Sequence, residues 1–72
     1  MTREKLLEIV NAIPEEFLGA YSIQIGSNPK IIQLGYNKNI AAKYGKEIKI
    51  DERGYATFKT PIAGIMFEIV MT

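Results

Sequence analysis

The segment 65–71 alternates without a break. Ile65, Phe67, Ile69 and Met71 fall on one side of an extended chain, and Met66, Glu68 and Val70 on the other. The first set has no polar member, so the spacing predicts a strand with one buried face. The second set is mixed and predicts a face that meets some water. β-Branched and aromatic residues dominate and no capping residue opens the segment, which disfavours a helix there.

At the other end of the chain the period changes. Leu6, Ile9, Val10 and Ile13 recur at the spacing of one helical face, with Leu7 at its margin, and predict a helix over 3–13. Thr2 stands at the N-cap position, and Glu4 and Glu8 suit the positive end of the helix dipole. Pro14 has no N–H to donate and ends the helix. Residues 14–18 then form a fresh helical turn closed by Gly19, with Phe17 continuing the apolar face.

Between these ends the chain alternates repeatedly. Residues 20–26 and 31–36 are strands, with Tyr21, Ile23, Ile25, Ile32, Leu34 and Tyr36 turned inward. Ser27-Asn28-Pro29-Lys30 is the turn between them. A four-residue loop pairs Ile25 with Ile32, Ile23 with Leu34 and Tyr21 with Tyr36, and sets Gln24 against Gln33 outside. Asn39 can cap a short helix over 40–44, ended by Gly45, and the stretch reads equally as an irregular crossing. Residues 46–50 are a third strand, with Ile48 and Ile50 inward. Asp51-Glu52-Arg53-Gly54 fits a type I turn followed by a left-handed glycine, which pairs Ile50 with Ala56 and Ile48 with Phe58. Residues 60–64 turn the chain once more, so that Thr60 meets Ile65, Phe58 meets Phe67 and Ala56 meets Ile69.

The expected fold is therefore α+β: a five-stranded, mainly antiparallel sheet of two hairpin or meander units on one N-terminal helix, with a short second helix near 40–44. All 72 residues belong to one domain. A closed barrel, with the C-terminal strand pairing back to the first hairpin, is the other architecture. In the open sheet the outward face carries Ser22, Gln24, Gln33, Lys49, Tyr55, Thr57, Lys59, Met66, Glu68 and Val70. That mixture is too polar for a second core and richer in apolar groups than a plain solvent face.

Composition narrows the chemistry. There is no cysteine, so disulfides and thiolate–zinc sites are excluded. There is no histidine, the commonest metal ligand and the side chain best suited to proton transfer near neutral pH. Ser22 and Ser27 thus lack an imidazole to activate them. The carboxylate pairs Asp51–Glu52 and Glu15–Glu16 are adjacent in a turn and a first helical turn, where water keeps them ordinary. No catalytic residue, metal or cofactor is expected. The basic start of the chain runs into an amphipathic pattern rather than an apolar core, and no run approaches the length of a membrane span, so the expected location is the cytoplasm, away from membranes.

Net charge is +1 and unevenly spread. Residues 1–27 sum to −2, whereas 28–60 sum to +4. In that basic stretch Arg53-Gly54-Tyr55-Ala56-Thr57-Phe58-Lys59-Thr60 resembles the octapeptide of RNA-recognition-motif domains at its first four specified positions. Thr57, Phe58 and Thr60 depart from it, and the chain lacks the strand that precedes the first helix in that family. The resemblance covers eight residues of 72 and implies a solvent-facing, base-stacking Tyr55, which the hairpin register also places outward. A tight hairpin with a cross-strand tyrosine accounts for the same residues.

The preferred functional expectation is a non-catalytic protein-binding module of inhibitor or adaptor type, or a homodimer. It would use the outward face or the 65–71 strand as an uncovered edge. The candidate binding residues are Tyr55, Thr57, Lys49, Lys59, Gln24, Gln33, Met66, Glu68 and Val70. The alternative is a single-stranded RNA or DNA binder in which Tyr55 stacks and nearby lysines neutralise phosphates.

Overall fold

The computed structural model describes residues 1–72. Helix α1 spans Arg3–Ala12, and Thr2 caps it: its hydroxyl accepts the Lys5 N–H at 3.1 Å. A 3-10 turn, Glu15–Phe17, follows Pro14. Strands β1 (Ser22–Gln24) and β2 (Lys30–Leu34) form the first hairpin. Helix α2 covers Lys38–Lys43, and β3 (Lys49–Ile50), β4 (Ala56–Ile62) and β5 (Ile65–Met71) complete the sheet.

The strand order is β1-β2-β5-β4-β3. Three of the four pairings are antiparallel, and β2 and β5 run parallel. The expected α+β fold is thus present. The C-terminal strand does pair back to the first hairpin, as in the barrel alternative, yet β1 and β3 remain unjoined and the sheet is open. The 65–71 segment is the centre of the sheet, not an edge. Its buried face needs neighbours on both sides, and it finds β2 on one and β4 on the other.

One side of the sheet carries the core. Ile9, Ile13 and Phe17 pack with Ile32, Leu34, Ile40, Ala56, Phe58, Ile62, Phe67, Ile69 and Met71. Phe17, Tyr44 and Phe58 form an aromatic group within it, the Tyr44 and Phe58 rings stacked at 4.2 Å. Glu16 ties this group to α2, accepting from Lys43 Nζ at 2.9 Å and Tyr44 Oη at 3.1 Å.

Several details differ from the sequence expectation. Strand β3 holds two residues rather than the span 46–50, and Tyr36 and Ile50, expected inward, lie at the sheet's ends and are 62 and 68% exposed. The α1 side facing the sheet is the line Lys5, Ile9, Ile13, with the Lys5 amine donating to the Ala63 carbonyl at 3.1 Å. The helix is rotated away from the Leu6–Val10 line, and Leu6, Leu7 and Val10 stay 40, 53 and 46% exposed. Helix α2 is capped by Asn37 rather than Asn39; its Oδ1 accepts from the Asn39 and Ile40 amides. The first hairpin pairs Ile23 with Ile32, two residues from the expected register, because its loop is longer than four residues. The β4–β5 hairpin is also shifted by two. Its strand runs through Pro61, and the turn is Ala63-Gly64 alone, at φ +52° and +75°. Two positive φ values in a two-residue loop define a type I′ turn. The β3–β4 register is the expected one, with Ile50 opposite Ala56 and Gly54 at φ +85°.

Candidate binding face of the sheet

No helix covers the other side of the sheet, and the strand registers order it into rows. One row reads Ser22, Gln33, Val70, Thr57, Lys49; the next reads Gln24, Ile31, Glu68, Lys59; a third holds Met66 and Pro61. Tyr55 precedes Thr57 by two and shares its side. All nine candidate residues therefore lie on one face, but they do not form one site. Lys49, Thr57, Lys59 and Glu68, with Glu47 and Phe58, line a groove of about 390 Å³. Met66 belongs to a second groove of about 260 Å³, with Pro29, Lys30, Ile65 and again Lys59 and Glu68. Gln24 and Gln33 lie toward β1. Val70 is only 6% exposed, a short side chain walled in by its longer neighbours, and offers a partner little area.

The upper end of the face is built by a turn. Asp51 Oδ1 accepts the Arg53 and Tyr55 backbone N–H groups at 2.9 and 3.0 Å, and Oδ2 accepts Arg53 Nε and Nη2 at 3.2 and 2.8 Å. Those bonds, the Arg53 side chain first, hold the Asp51 carboxyl below the usual carboxylate range. They also fix the guanidinium plane, whose central carbon lies 4.7 Å from the centre of the Tyr55 ring. Tyr55 is half-buried beneath it. The outward orientation expected for Tyr55 holds, but the ring that would stack is covered by Arg53.

Tyr21 is another departure. Its N–H donates to the Gln33 carbonyl at 2.8 Å although Gln33 is the register partner of Ser22, so two residues oppose one in a bulge. A bulge breaks strict alternation, which had placed Tyr21 inward. A Cβ added to Gly35 would come within 2.9 Å of the Tyr21 hydroxyl, so the ring crosses that glycine and remains 74% exposed.

The edges are poor places to pair. β1 has three residues and β3 two. Beyond β3, which reaches only Ala56 and Thr57, the outer side of β4 is free. The two-residue turn makes Ile62–Ile65, Thr60–Phe67 and Phe58–Ile69 the bonded pairs of β4 and β5, leaving the backbone of Lys59 and Pro61 pointing outward. A lysine and a donor-less proline are what blunt such an edge.

No three Asp or Glu side chains come together in a metal-binding group, and no helix is long and apolar enough to cross a membrane. Compared with family models, curated proteins and solved structures, the chain matches none. Sequence reasoning missed Ile31 and Tyr21 as parts of this face, and took Arg53 as one of its cations without foreseeing that it lies on Tyr55. For Arg53 a signal was present, an aspartate two residues earlier in the same turn; for Tyr21 there was none, because bulges leave no mark in periodicity.

Proposed function

We propose that this chain is a non-catalytic module that binds a protein, either a partner or a second copy, on the bare face of its sheet. The observation that carries the reading is the lower groove. Met66 stands there 56% exposed beside Pro29, with Ile31 and Pro61 in neighbouring positions of the same face. An adaptable thioether in a mixed groove, with Pro29 and Ile65 beside it and Asn28, Lys30, Lys59 and Glu68 around them, fits a protein contact, where methionine is favoured at the centre and charges at the rim. The edges, short or blunted, direct recognition to the face rather than to strand addition.

The test is Met66→Arg. Sedimentation velocity over a range of concentrations detects a second copy, and affinity capture with quantified recovery detects another partner. The expected result is association by wild type that Met66→Arg abolishes and Leu7→Arg, on the helix, leaves intact. A monomer at every concentration, with recovery indifferent to Met66→Arg, refutes the reading.

A further inference from the structure

We infer that the upper end of the bare face binds single-stranded nucleic acid: a base stacks on the Arg53 guanidinium where it lies over Tyr55, and the neighbouring phosphates meet Lys49 and Lys59. This goes beyond the protein-binding reading and does not rest on it: that reading turns on Met66 and this one on Arg53, although Lys59 and Glu68 border both grooves.

Three observations converge. First, the stacking surface exists before any ligand arrives. Arg53 is held at both Nε and Nη2 by Asp51, one side of its plane lies against Tyr55, and its side chain remains 64% exposed. Guanidinium planes and aromatic rings are the surfaces on which unpaired bases stack, and a plane already fixed loses little freedom when one does. Second, the adjoining groove has the size and chemistry of a single nucleoside. It measures about 390 Å³, and Thr57 and Glu68 offer a hydroxyl and a carboxylate to the edge of a base. Third, cations are within reach. Lys49 and Lys59 flank the groove and are exposed, so their ammonium groups can meet phosphate at its rim, while Glu47 and Glu68 leave the groove itself without net charge, so the contact is a weak one that salt readily screens. A duplex keeps its bases paired and cannot present one to this surface, so single strands are preferred. A peptide supplies a planar group only where it carries an aromatic side chain, and it lacks the repeating anion.

The test measures fluorescence anisotropy of a labelled oligothymidylate of about twelve nucleotides, within the span single-strand binders cover, at low and rising salt. Binding is expected at low ionic strength, weaker for a duplex of equal length. Arg53→Ala reduces affinity by roughly five-fold to a hundred-fold, the range expected when one base stack is removed. Arg53→Lys keeps the charge but not the plane and behaves like Arg53→Ala. Lys49→Ala and Lys59→Ala each flatten the logarithmic salt dependence by about 0.7 for every phosphate no longer neutralised. Arg3→Ala, on the helix across the sheet, changes nothing. These are surface substitutions, and circular dichroism confirms that each variant is folded. The inference is overturned if no binding is seen at low salt, if Arg53→Lys binds like wild type, or if only a protein partner competes for Arg53.

Discussion

Replacing Ala63 with asparagine should stabilise this protein. Ala63 sits at φ +52° in the type I′ turn that joins β4 to β5. For a residue with a Cβ this left-handed region costs roughly 1–2 kcal/mol, and asparagine is among the few side chains that tolerate it. Recovering part of that cost gives about 0.5–1 kcal/mol, which in a domain of this size raises Tm by roughly 2–8 °C. The bond from Lys5 goes to the Ala63 backbone carbonyl and is kept, whereas Ala63 is partly buried against the core, so the asparagine amide has to turn toward solvent and only part of the conformational gain is realised. The companion substitution, Gly64→Ala, should do the reverse. Nothing lies within 4 Å of a Cβ built at Gly64, so crowding is absent and only its φ of +75° resists. A loss of about 1 kcal/mol or more is expected. Thermal unfolding followed by circular dichroism measures both. If Ala63→Asn leaves Tm unchanged or lowers it, or Gly64→Ala has no effect, the two-residue turn and the register it imposes on β4 and β5 are refuted.

Phe67→Ala should remove a large part of the stability and lower Tm by more than about ten degrees: Phe67 is fully buried in the central strand, and its truncation costs about 3–5 kcal/mol of the roughly 4–11 kcal/mol that a chain of this length has in all. A cooperative melt within a few degrees of wild type would contradict this. Thr2→Ala removes the acceptor for the Lys5 N–H and should cost about 1 kcal/mol, read as a lower midpoint in urea. The Glu16 carboxyl is held below its ordinary value near 4.5, chiefly by its bond from Lys43, with the Tyr44 hydroxyl assisting. Its folded pKa is depressed, so its contribution is complete above the ordinary glutamate range and disappears as the pH falls through the lowered value. The Tm difference between wild type and Glu16→Gln should therefore be present at neutral pH and vanish in acid; a difference independent of pH would show that the ionised carboxylate is not what matters.

Most elements were legible because each carries its own local signal. Thr2 before an apolar period of 3.6, Pro14 at its end, and Asp51 through Gly54 between two alternating runs each point to one structure, and the β3–β4 register followed from that last turn. The β4–β5 register did not follow, because Pro61 resembles a turn residue whereas it occupies a strand position whose N–H side faces outward. Nothing local announced that Ala63, rather than a glycine or asparagine, would take a left-handed conformation. The central place of β5 depends on a partner strand far away in sequence, which periodicity cannot identify. The same limit applies to the face: alternation put the nine candidate residues on one side, but only the fold could show that Val70 is walled in, that Met66 stands apart from Lys49 and Thr57, and that Arg53 lies on Tyr55.

The parallel seam between β2 and β5 has a consequence for how the molecule is made. It alone joins the first hairpin to the rest of the sheet, pairing Lys30 with Phe67 and Leu34 with Met71. Until the segment up to Met71 has been synthesised, Ile32 and Leu34 have no strand beside them on that side, and the amino-terminal half can only wait, sticky and half-formed. Folding must then close a loop of more than thirty residues before that half gains anything, an entropic hurdle that slows the search. The slower that closure, the longer the unpaired side of the hairpin is open to the wrong neighbour.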